Sequence, residues 1–288
     1  MSESTPDFVI VGHVCQDILP DGSLGLGGSV SYAAMTAHRL GYRVGIVTSA
    51  GPDLDVARAF PHAQVVCRPA AATTVFENIY LNGKRTQILH QRADVLTCAE
   101  VPAAWRQAPM AYLGTIDQEI APGMFGCFSE DVLLGVMPQG FFRQWDREGH
   151  VSFCEWRPSA EQLRRIKVLV ISELDVPEPQ QWAQEWAQLV QVMVVTHAER
   201  GATVFCQGEV RSFPARPARQ VDPTGAGDVF TAALMIRLAE TGDPFQSATF
   251  ANVVASFSVE KPGIAGIPER SVVDEYLFRH GAELANLR

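Results

Sequence analysis

The segment 221–230, which reads VDPTGAGDVF, holds the residue types in this chain that are best suited to chemistry. Gly225, Ala226 and Gly227 are small enough for backbone amides to approach an anion closely. They precede a long apolar run with helical spacing, so the unpaired N–H groups and the dipole of a helix start would face that anion. This glycine-rich segment therefore predicts a binding site for a phosphate group in transfer.

Asp228 stands at the edge of the predicted anion hole, where a carboxylate is electrostatically unfavourable unless it has a function. The function predicted is that of a general base, which takes the proton of a hydroxyl group that attacks a γ-phosphate. The glycine amides would stabilise the charge on the transferring group. The alternative is that Asp222 and Asp228 only cap turns and a helix start. The whole segment favours the catalytic interpretation.

Short apolar segments predict the buried strands that must carry this site. They are residues 8–12, 43–49, 110–114, 132–137, 168–172 and 192–196. Helical patterns at 29–40, 159–167 and 179–191 alternate with them, and further helices are expected at 225–241, 244–261 and 271–280. Such alternation predicts a three-layer α/β/α sandwich with a mostly parallel central sheet. Gly25–Gly28 reads as a glycine-rich turn before the first helix.

Residues 74–80 and 86–90 are rich in β-forming side chains and flank Asn82-Gly83. An Asn-Gly pair between two such runs is a strong hairpin signal. The pattern predicts a hairpin over residues 73–92 that is inserted into a single domain spanning residues 1–288. Such an insertion could cover a site as a lid, and its alternative is an edge hairpin of the main sheet.

Charge and composition limit the partners. Asp and Glu number 32 and Lys and Arg 23, a net charge of −9, so no general attraction to nucleic acid or to an anionic membrane is expected. The N-terminus has no basic region followed by an apolar run, and no stretch approaches the length of a membrane span. We therefore expect a cytoplasmic protein. No P-loop, HExxH or GxSxG motif occurs, and Gly25–Gly28 lies too far from the first strand for a dinucleotide loop.

The six cysteines lie at least 27 residues apart, without zinc-ligand or CxxC spacing. We expect them to be small buried apolar residues, which fits a reducing compartment.

The glycine-rich segment resembles the C-terminal signature, roughly D-T-x-G-A-G-D, of the PfkB/ribokinase family of carbohydrate kinases. The resemblance implies a ribokinase-like fold with a small β-hairpin lid. It implies Asp228 as the base and Gly225, Ala226 and Gly227 as the anion hole. It also implies ATP as co-substrate with Mg²⁺, and K⁺ or a similar monovalent cation as in many members.

On the acceptor side, the resemblance implies that Asp17, five residues after Gly12, holds substrate hydroxyls. Gly27 and Gly28 match the glycine pair that lines the sugar pocket. Tyr32 stands where the family usually has asparagine, a departure from recognition of the ribose or fructose type.

On the donor side, residues 196–201 resemble the family's T-x-G-x-x-G nucleotide loop, with Ala198 in place of a glycine. The nucleotide contacts implied are Thr196, Glu199, Gly201, Thr224 and Asn252. Asp175 falls in the segment equivalent to an N-x-x-E motif and would act on Mg²⁺ through water. Asp222 matches an aspartate near the monovalent cation.

The function expected is phosphorylation by ATP of a hydroxyl on a small polyol or sugar, and the chain most resembles the inositol-kinase-like branch. Arg143, Arg147 and Arg157 read as a solvated face, so an uncharged acceptor is favoured. Two alternatives remain open. One is a nucleoside kinase in which Tyr32 or Phe76 stacks on a base, and the other is a non-catalytic sugar- or nucleotide-binding regulatory protein. The resemblance also leaves open a homodimer formed through the lid.

Overall fold

The computed structural model describes residues 5–81 and 84–285. The strands are β1 (Phe8–Val11), β2 (Cys15–Ile18), β3 (Leu24–Gly27), β4 (Val44–Ala50), β5 (Ala63–Pro69), β6 (Thr74–Leu81), β7 (Lys84–Gln91), β8 (Met110–Gly114), β9 (Leu133–Met137), β10 (Arg143–Trp145), β11 (Val151–Phe153), β12 (Val168–Ser172), β13 (Val192–Thr196), β14 (Ala202–Cys206) and β15 (Glu209–Phe213). The α-helices are α1 (Ser29–Arg39), α2 (Val56–Ala59), α3 (Ala160–Arg165), α4 (Pro179–Trp186), α5 (Ala226–Thr241), α6 (Pro244–Ser258) and α7 (Arg270–Ala285).

The central sheet has nine strands in the order β15-β14-β13-β12-β9-β8-β1-β4-β5. The pairs from β13 to β5 are parallel, and β14 and β15 extend the sheet in antiparallel fashion. The predicted α/β class with a mostly parallel sheet is confirmed. The carboxyl ends of the parallel strands open on one edge, which is where ligands bind in such folds.

Two apolar layers cover the sheet. Phe8 and Ile10 of β1 pack into a core shared with α1, α5 and α6, whereas Val9 and Val11 face a second core under α3 and α4. Because both faces are covered, all four residues of β1 are buried, as in a parallel strand between two helical layers. None of the described helices is both long and apolar enough to cross a membrane.

A second sheet, in the order β3-β2-β6-β7, lies beside the central one and is called the small sheet below. The predicted hairpin is present as the antiparallel pair β6 and β7, while its Asn82-Gly83 turn lies outside the described residues. The prediction of a turn at Gly25–Gly28 was wrong, because residues 24–27 form β3 against β2, and β2 pairs with β6. These short strands have no alternating pattern of their own and depend on the hairpin for their pairing.

The prediction of six unpaired, buried cysteines was also wrong. Cys98 and Cys127 form a disulfide with a Cα–Cα distance of 5.5 Å, although 29 residues separate them in sequence. Cys67 is exposed. The pairing depends on two short turns that the tertiary fold brings together, so the spacing gave no signal for it.

Candidate active site

The glycine-rich segment forms the loop before α5 and the first turn of that helix. Gly225 is the N-cap residue with a φ of +73°, a left-handed conformation that glycine adopts without strain. A Cβ atom there would lie 2.2 Å from the ring of Tyr32. The first N–H groups of a helix have no carbonyl partner within it, although the Ala226 amide donates to the Pro223 carbonyl over 3.2 Å. The predicted anion hole thus coincides with the positive end of a 16-residue helix.

Asp228 lies in the first turn of α5 and is only 8% exposed. Its Oδ1 accepts a hydrogen bond of 2.7 Å from the hydroxyl of Tyr112, a fully buried residue in the middle of β8. Burial raises the pKa of Asp228 to about 6, although hydrogen bonds from Tyr112 and Ser29 act in the opposite direction. The carboxyl group therefore has the pKa of a group that can exchange a proton near neutral pH.

Asp175 follows the carboxyl end of β12, and its negative charge contributes to the raised pKa of Asp228. Its Oδ2 accepts a hydrogen bond of 2.9 Å from the backbone N–H of Ser172, and its Oδ1 accepts one of 3.0 Å from the side-chain amide of Gln139. Ser172 and Gln139 stand at the ends of neighbouring strands, β12 and β9. The carboxylate is thus held at the carboxyl edge of the central sheet.

The acceptor-side residues come together at the small sheet. Asp17 lies on β2 beside β3, and a Cβ atom at Gly27 would be 2.0 Å from its Oδ2. Gly28, with a φ of +88°, is the N-cap of α1, and a Cβ atom there would be 2.5 Å from the His13 carbonyl oxygen. Gly27 is therefore required by close packing against the Asp17 carboxylate, and Gly28 by its φ and the nearby backbone of His13.

Tyr32 connects the two sides. It lies on α1, is 3% exposed, and its ring contacts the α-carbon of Gly225. Burial, together with the charges of Asp222, Asp17 and Asp228, raises the pKa of its hydroxyl, which stays protonated. An aromatic ring therefore fills the space between the acceptor-side glycines and the start of α5.

The predicted nucleotide loop follows β13, next to β12 in the sheet. Thr196 donates weakly to the Ile171 carbonyl over 3.4 Å, and Glu199 is exposed. Ala198 has a φ of +50°, so the alanine adopts the left-handed conformation for which the family's glycine is suited. A Cβ atom at Gly201 would lie 2.0 Å from the Phe213 carbonyl oxygen, which explains the glycine there by packing.

Asn252 and Asp222 make structural hydrogen bonds. The Asn252 amide nitrogen donates to the carbonyls of Phe213 and Pro214 over 2.9 Å and 3.3 Å, and the side chain is buried. Asp222 accepts the backbone N–H of Thr224 on Oδ1, at 2.9 Å, and that of Gly263 on Oδ2, at 2.8 Å. The Asn252 and Asp222 side chains are therefore both hydrogen-bonded to backbone groups, and their contacts with a ligand stay predictions.

Sequence reasoning missed Tyr112 and misjudged Arg143. Tyr112 is one aromatic residue in an apolar strand, and nothing in the linear pattern marks it. Arg143 does not belong to a solvated face: it is half-buried, its Nη1 donates to the Ile116 carbonyl over 3.0 Å, and its guanidinium lies 5.7 Å from the Phe76 ring. Its charge lowers the pKa of Asp228. Its position shortly after β9 was the available signal.

Comparison with known proteins agrees with this geometry. A model of the pfkB family carbohydrate kinases matches residues 166–270, which include the glycine-rich segment. Inositol 3-kinase of Arabidopsis thaliana is 28% identical over 277 residues, covering 88% of this chain and 74% of the relative. Cytidine kinase of Thermococcus kodakarensis is 24% identical over 260 residues, covering 80% of this chain and 87% of the relative.

Among solved structures, a pyrophosphate-dependent kinase in the ribokinase family, complexed with a pyrophosphate analog and myo-inositol, matches with a TM-score of 0.78. It is 22% identical, and the match covers 93% of this chain and 99% of that one. This likeness shows the ribokinase fold. Together with the match of residues 166–270 to the pfkB family model, it confirms the resemblance to the PfkB/ribokinase family that the glycine-rich segment predicted.

Proposed function

We propose that the protein transfers the γ-phosphate of ATP to a hydroxyl group of a small uncharged polyol, inositol-like or hexose-like, with Asp228 as general base. The observation that carries the proposal is the placement of one buried carboxyl group. Asp228 stands at the amino end of α5, its pKa is raised to about 6, and Tyr112 occupies one of its two oxygens.

In this mechanism Asp228 takes the proton of the acceptor hydroxyl on Oδ2. Tyr112 holds Oδ1 and so fixes the orientation of the carboxylate. Because the pKa is about 6, the group is mostly ionised at neutral pH and can accept the proton as the new oxygen–phosphorus bond forms.

The charge that develops on the transferring phosphoryl group would be stabilised by the first amides of α5, with Gly225, Ala226 and Gly227 as the proposed anion hole. Preorganised N–H groups in a water-poor site contribute strongly to such catalysis. Thr196, Glu199, Gly201, Thr224 and Asn252 remain the proposed contacts for the nucleotide part of the donor.

The donor set fits the implied cations. Mg²⁺ bound with the donor neutralises charge on its phosphates. Asp175 is a carboxylate held at the carboxyl edge of the central sheet by Ser172 and Gln139, and carboxylates orient the water molecules of a Mg²⁺ shell. Asp222 keeps lone pairs for a monovalent cation such as K⁺. No further step is assigned to either ion.

For the acceptor we propose contacts with Asp17, Gly27, Gly28 and Tyr32. Asp17 is a hydrogen-bond acceptor for hydroxyl groups, and Arg143 adds one donor between the small sheet and Asp228. Carboxylates outnumber the guanidinium here, which favours a neutral polyhydroxy compound over a phosphorylated one. The myo-inositol in the similar solved structure and the inositol activity of the Arabidopsis relative support this class. A cytidine kinase among the relatives keeps a nucleoside acceptor as the second candidate.

The donor has a second candidate as well. The similar solved structure is a pyrophosphate-dependent kinase, and here the Asn252 amide nitrogen is already bonded to two carbonyls. Inorganic pyrophosphate needs no adenine contacts, so it is compatible with that arrangement.

The test is acceptor-dependent release of ADP from MgATP, or of phosphate from Mg-pyrophosphate, against inositols, hexoses, pentoses and nucleosides. The Asp228→Asn variant is the control in each assay. Turnover that depends on a polyol and disappears in the variant supports the proposal. Turnover only with nucleosides selects the second acceptor, and activity that survives in the variant overturns the role of Asp228.

A further inference from the structure

A group of fully buried charged residues lies beneath the small sheet and takes no part in the proposed transfer. His13 follows β1, and Asp117 and Glu119 follow β8, so all three stand at the carboxyl edge of the central sheet. Their exposed fractions are 0%, 1% and 0%. Charged side chains are almost never buried so completely without partners. Their partners therefore indicate what the group does.

His13 joins the two stems of the hairpin. Its Nε2 lies 2.9 Å from the carbonyl oxygen of Asp94, which follows β7. Its Nδ1 lies 2.8 Å from Oγ1 of Thr74, the first residue of β6. The same hydroxyl accepts a hydrogen bond of 3.0 Å from the backbone N–H of Ala93. The entry of the chain into the hairpin and its exit therefore meet at one imidazole.

Asp117 contacts the same junction from β8. Its Oδ2 accepts a hydrogen bond of 3.3 Å from the Thr74 hydroxyl and lies 3.5 Å from Nε of Arg92 on the exit stem. Its Oδ1 lies 3.3 Å from Nδ1 of His13. Arg92 also donates to the main-chain carbonyl of Asp117 over 3.1 Å. Each stem is thus bonded to both His13 and the loop after β8.

These contacts place one proton on His13. A carbonyl oxygen only accepts, so Nε2 carries a hydrogen toward Asp94. Nδ1 faces the Thr74 hydroxyl at 2.8 Å, and the same hydroxyl lies 3.3 Å from Oδ2 of Asp117. Burial disfavours a charged imidazole, but the hydrogen bond and charge of Asp117 outweigh it and raise the pKa of His13.

The polar atoms of this group are already engaged with the protein. Both ring nitrogens of His13 lie within hydrogen-bond distance of the hairpin stems, Nε2 of the Asp94 carbonyl and Nδ1 of the Thr74 hydroxyl. Glu119 is also engaged, since it accepts backbone N–H groups of His13, Ile116 and Asp117. With these partners the group forms a clamp on the hairpin stems.

The clamp lies directly beside the strands that carry the acceptor-side residues. In the pairing of β2 with β6, Cys15 lies opposite Thr74 and Asp17 lies opposite Phe76. Asp228, by contrast, is held in the main body by α5 and Tyr112. A shift of the stems would move Asp17 and Phe76 relative to Asp228. A misplacement of about 1 Å can cost a factor of about 10² in rate.

We propose that His13 and Asp117 form a positioning pair that fixes both stems of the small sheet to the central sheet and so holds the acceptor against Asp228. The proposal rests on the proposed function. The pair touches no substrate and acts through Asp17 and Phe76. When the pair holds the small sheet in place, the phosphate is transferred to the acceptor and not to water. A loosely held small sheet would admit water to the terminal phosphate of the donor.

The matched variants are Thr74→Val and Thr74→Ser. Valine has the shape of threonine but leaves Nδ1 of His13, the Ala93 N–H and Asp117 without the bridging hydroxyl, whereas serine keeps that hydroxyl. If the Thr74→Val variant does not fold, Arg92→Gln serves in its place, because it removes the guanidinium contacts with Asp117. His90→Gln is the control on the same sheet, because His90 pairs with Glu77 on an exposed face, 2.8 Å apart.

The readouts are kcat and KM for myo-inositol and the ratio of donor hydrolysis to transfer, with MgATP and with Mg-pyrophosphate. In Thr74→Val and Arg92→Gln we expect kcat/KM to fall roughly 10- to 100-fold and the hydrolysis ratio to rise, while Thr74→Ser and His90→Gln stay near the parent. A valine variant that loses thermal stability but keeps the parent ratio and KM has a merely structural defect, and that result overturns the proposal.

Hydrogen exchange separates this inference from the proposed function. If the parent protein transfers no phosphate to any acceptor of the panel, the proposed function fails, and the clamp is still tested by amide protection at residues 74–78 and 86–94. Faster exchange of both stems in Thr74→Val, but not in Thr74→Ser, supports the clamp. Unchanged protection overturns it.

Discussion

The base side of the site, at the start of α5, and the acceptor side, under the small sheet, are assembled in opposite ways. The base side comes from one contiguous segment, because Gly225 and Asp228 lie three residues apart at the start of a single helix. The acceptor side joins residues that are far apart in sequence, such as Asp17, Thr74 and Arg143. Tyr32 packs against the start of α5 from the acceptor-side helix α1, and Arg143 lies at the Phe76 ring while its charge lowers the pKa of Asp228.

This difference separates the expected effects of mutation. Changes on the base side act on the chemical step or on the geometry of one helix start. Changes on the acceptor side act on the relative position of two sheets, so they are expected to alter acceptor use and leakage to water. A variant whose measured effect matches its side supports this difference, and a variant whose effect matches the other side contradicts it.

The largest effect is expected for Asp228→Asn. The amide can still accept from Tyr112, but it cannot take a proton, so kcat should fall by a factor of about 10²–10⁴. Because burial raises the pKa of Asp228, its ionised form disfavours folding above pH 6, and the neutral amide should leave the melting temperature at pH 8 equal or higher. Initial rates and thermal unfolding at pH 8 check both. A large loss of stability would contradict the assigned electrostatics.

Gly225→Ala should be next. The alanine would adopt a φ of +73° with its Cβ 2.2 Å from the Tyr32 ring, and overpacking of this kind costs about 1–3 kcal/mol in the free energy of unfolding. Gly208→Ala is the matched control, since Gly208 has a φ of +82° with nothing within 4 Å of its Cβ position. Denaturant unfolding of both variants measures the difference, which we assign to the clash. Equal destabilisation would show that Tyr32 does not press on the start of α5.

Tyr112→Phe tests how the central sheet tunes the base side. Its hydrogen bond lowers the pKa of Asp228, so without it the pKa should rise above the present value of about 6. A base must be ionised, so the acidic limb of the kcat/KM profile moves to higher pH, and the rate falls more at pH 6 than at pH 8. A pH profile of both proteins measures this. A uniform loss at all pH values would mean that Tyr112 acts only by packing.

The smallest effect on catalysis is expected for Asn252→Ala. The variant loses two hydrogen bonds to the Phe213 and Pro214 carbonyls, which should lower the free energy of unfolding by about 1–2 kcal/mol. A KM for ATP that remains near the parent value would contradict the proposed contact of Asn252 with the nucleotide. A strong rise in that KM, with MgATP but not with Mg-pyrophosphate, would support the nucleotide contact predicted from the resemblance.

Much of the fold follows from local pattern. The strands at 110–114, 168–172 and 192–196 occupy the predicted ranges, since a short apolar run between turns has few alternatives to a buried strand. The strands β2 and β3 escaped prediction because each has four residues and β3 contains two glycines. Their structure comes from pairing with each other and with β6.

The site divides in the same way. The position of Asp228 at the start of a glycine-rich helix was readable, because a helix start and its small residues are adjacent in sequence. The partners that tune it were not readable: Tyr112 comes from the middle of an apolar strand and Arg143 from a segment that reads as solvated. The clamp at His13, Thr74 and Asp117 has no linear motif at all.

The sequence by itself determined the alternation of strands and helices, the hairpin and the glycine-rich start of α5, because each depends on backbone preferences of neighbouring residues. The tertiary structure alone decided that Tyr112 bonds Asp228, that Tyr32 packs on Gly225 and that Cys98 pairs with Cys127. These contacts depend on the order of strands in the sheet. That order is set by the burial of whole faces and leaves no mark on any single stretch of the chain.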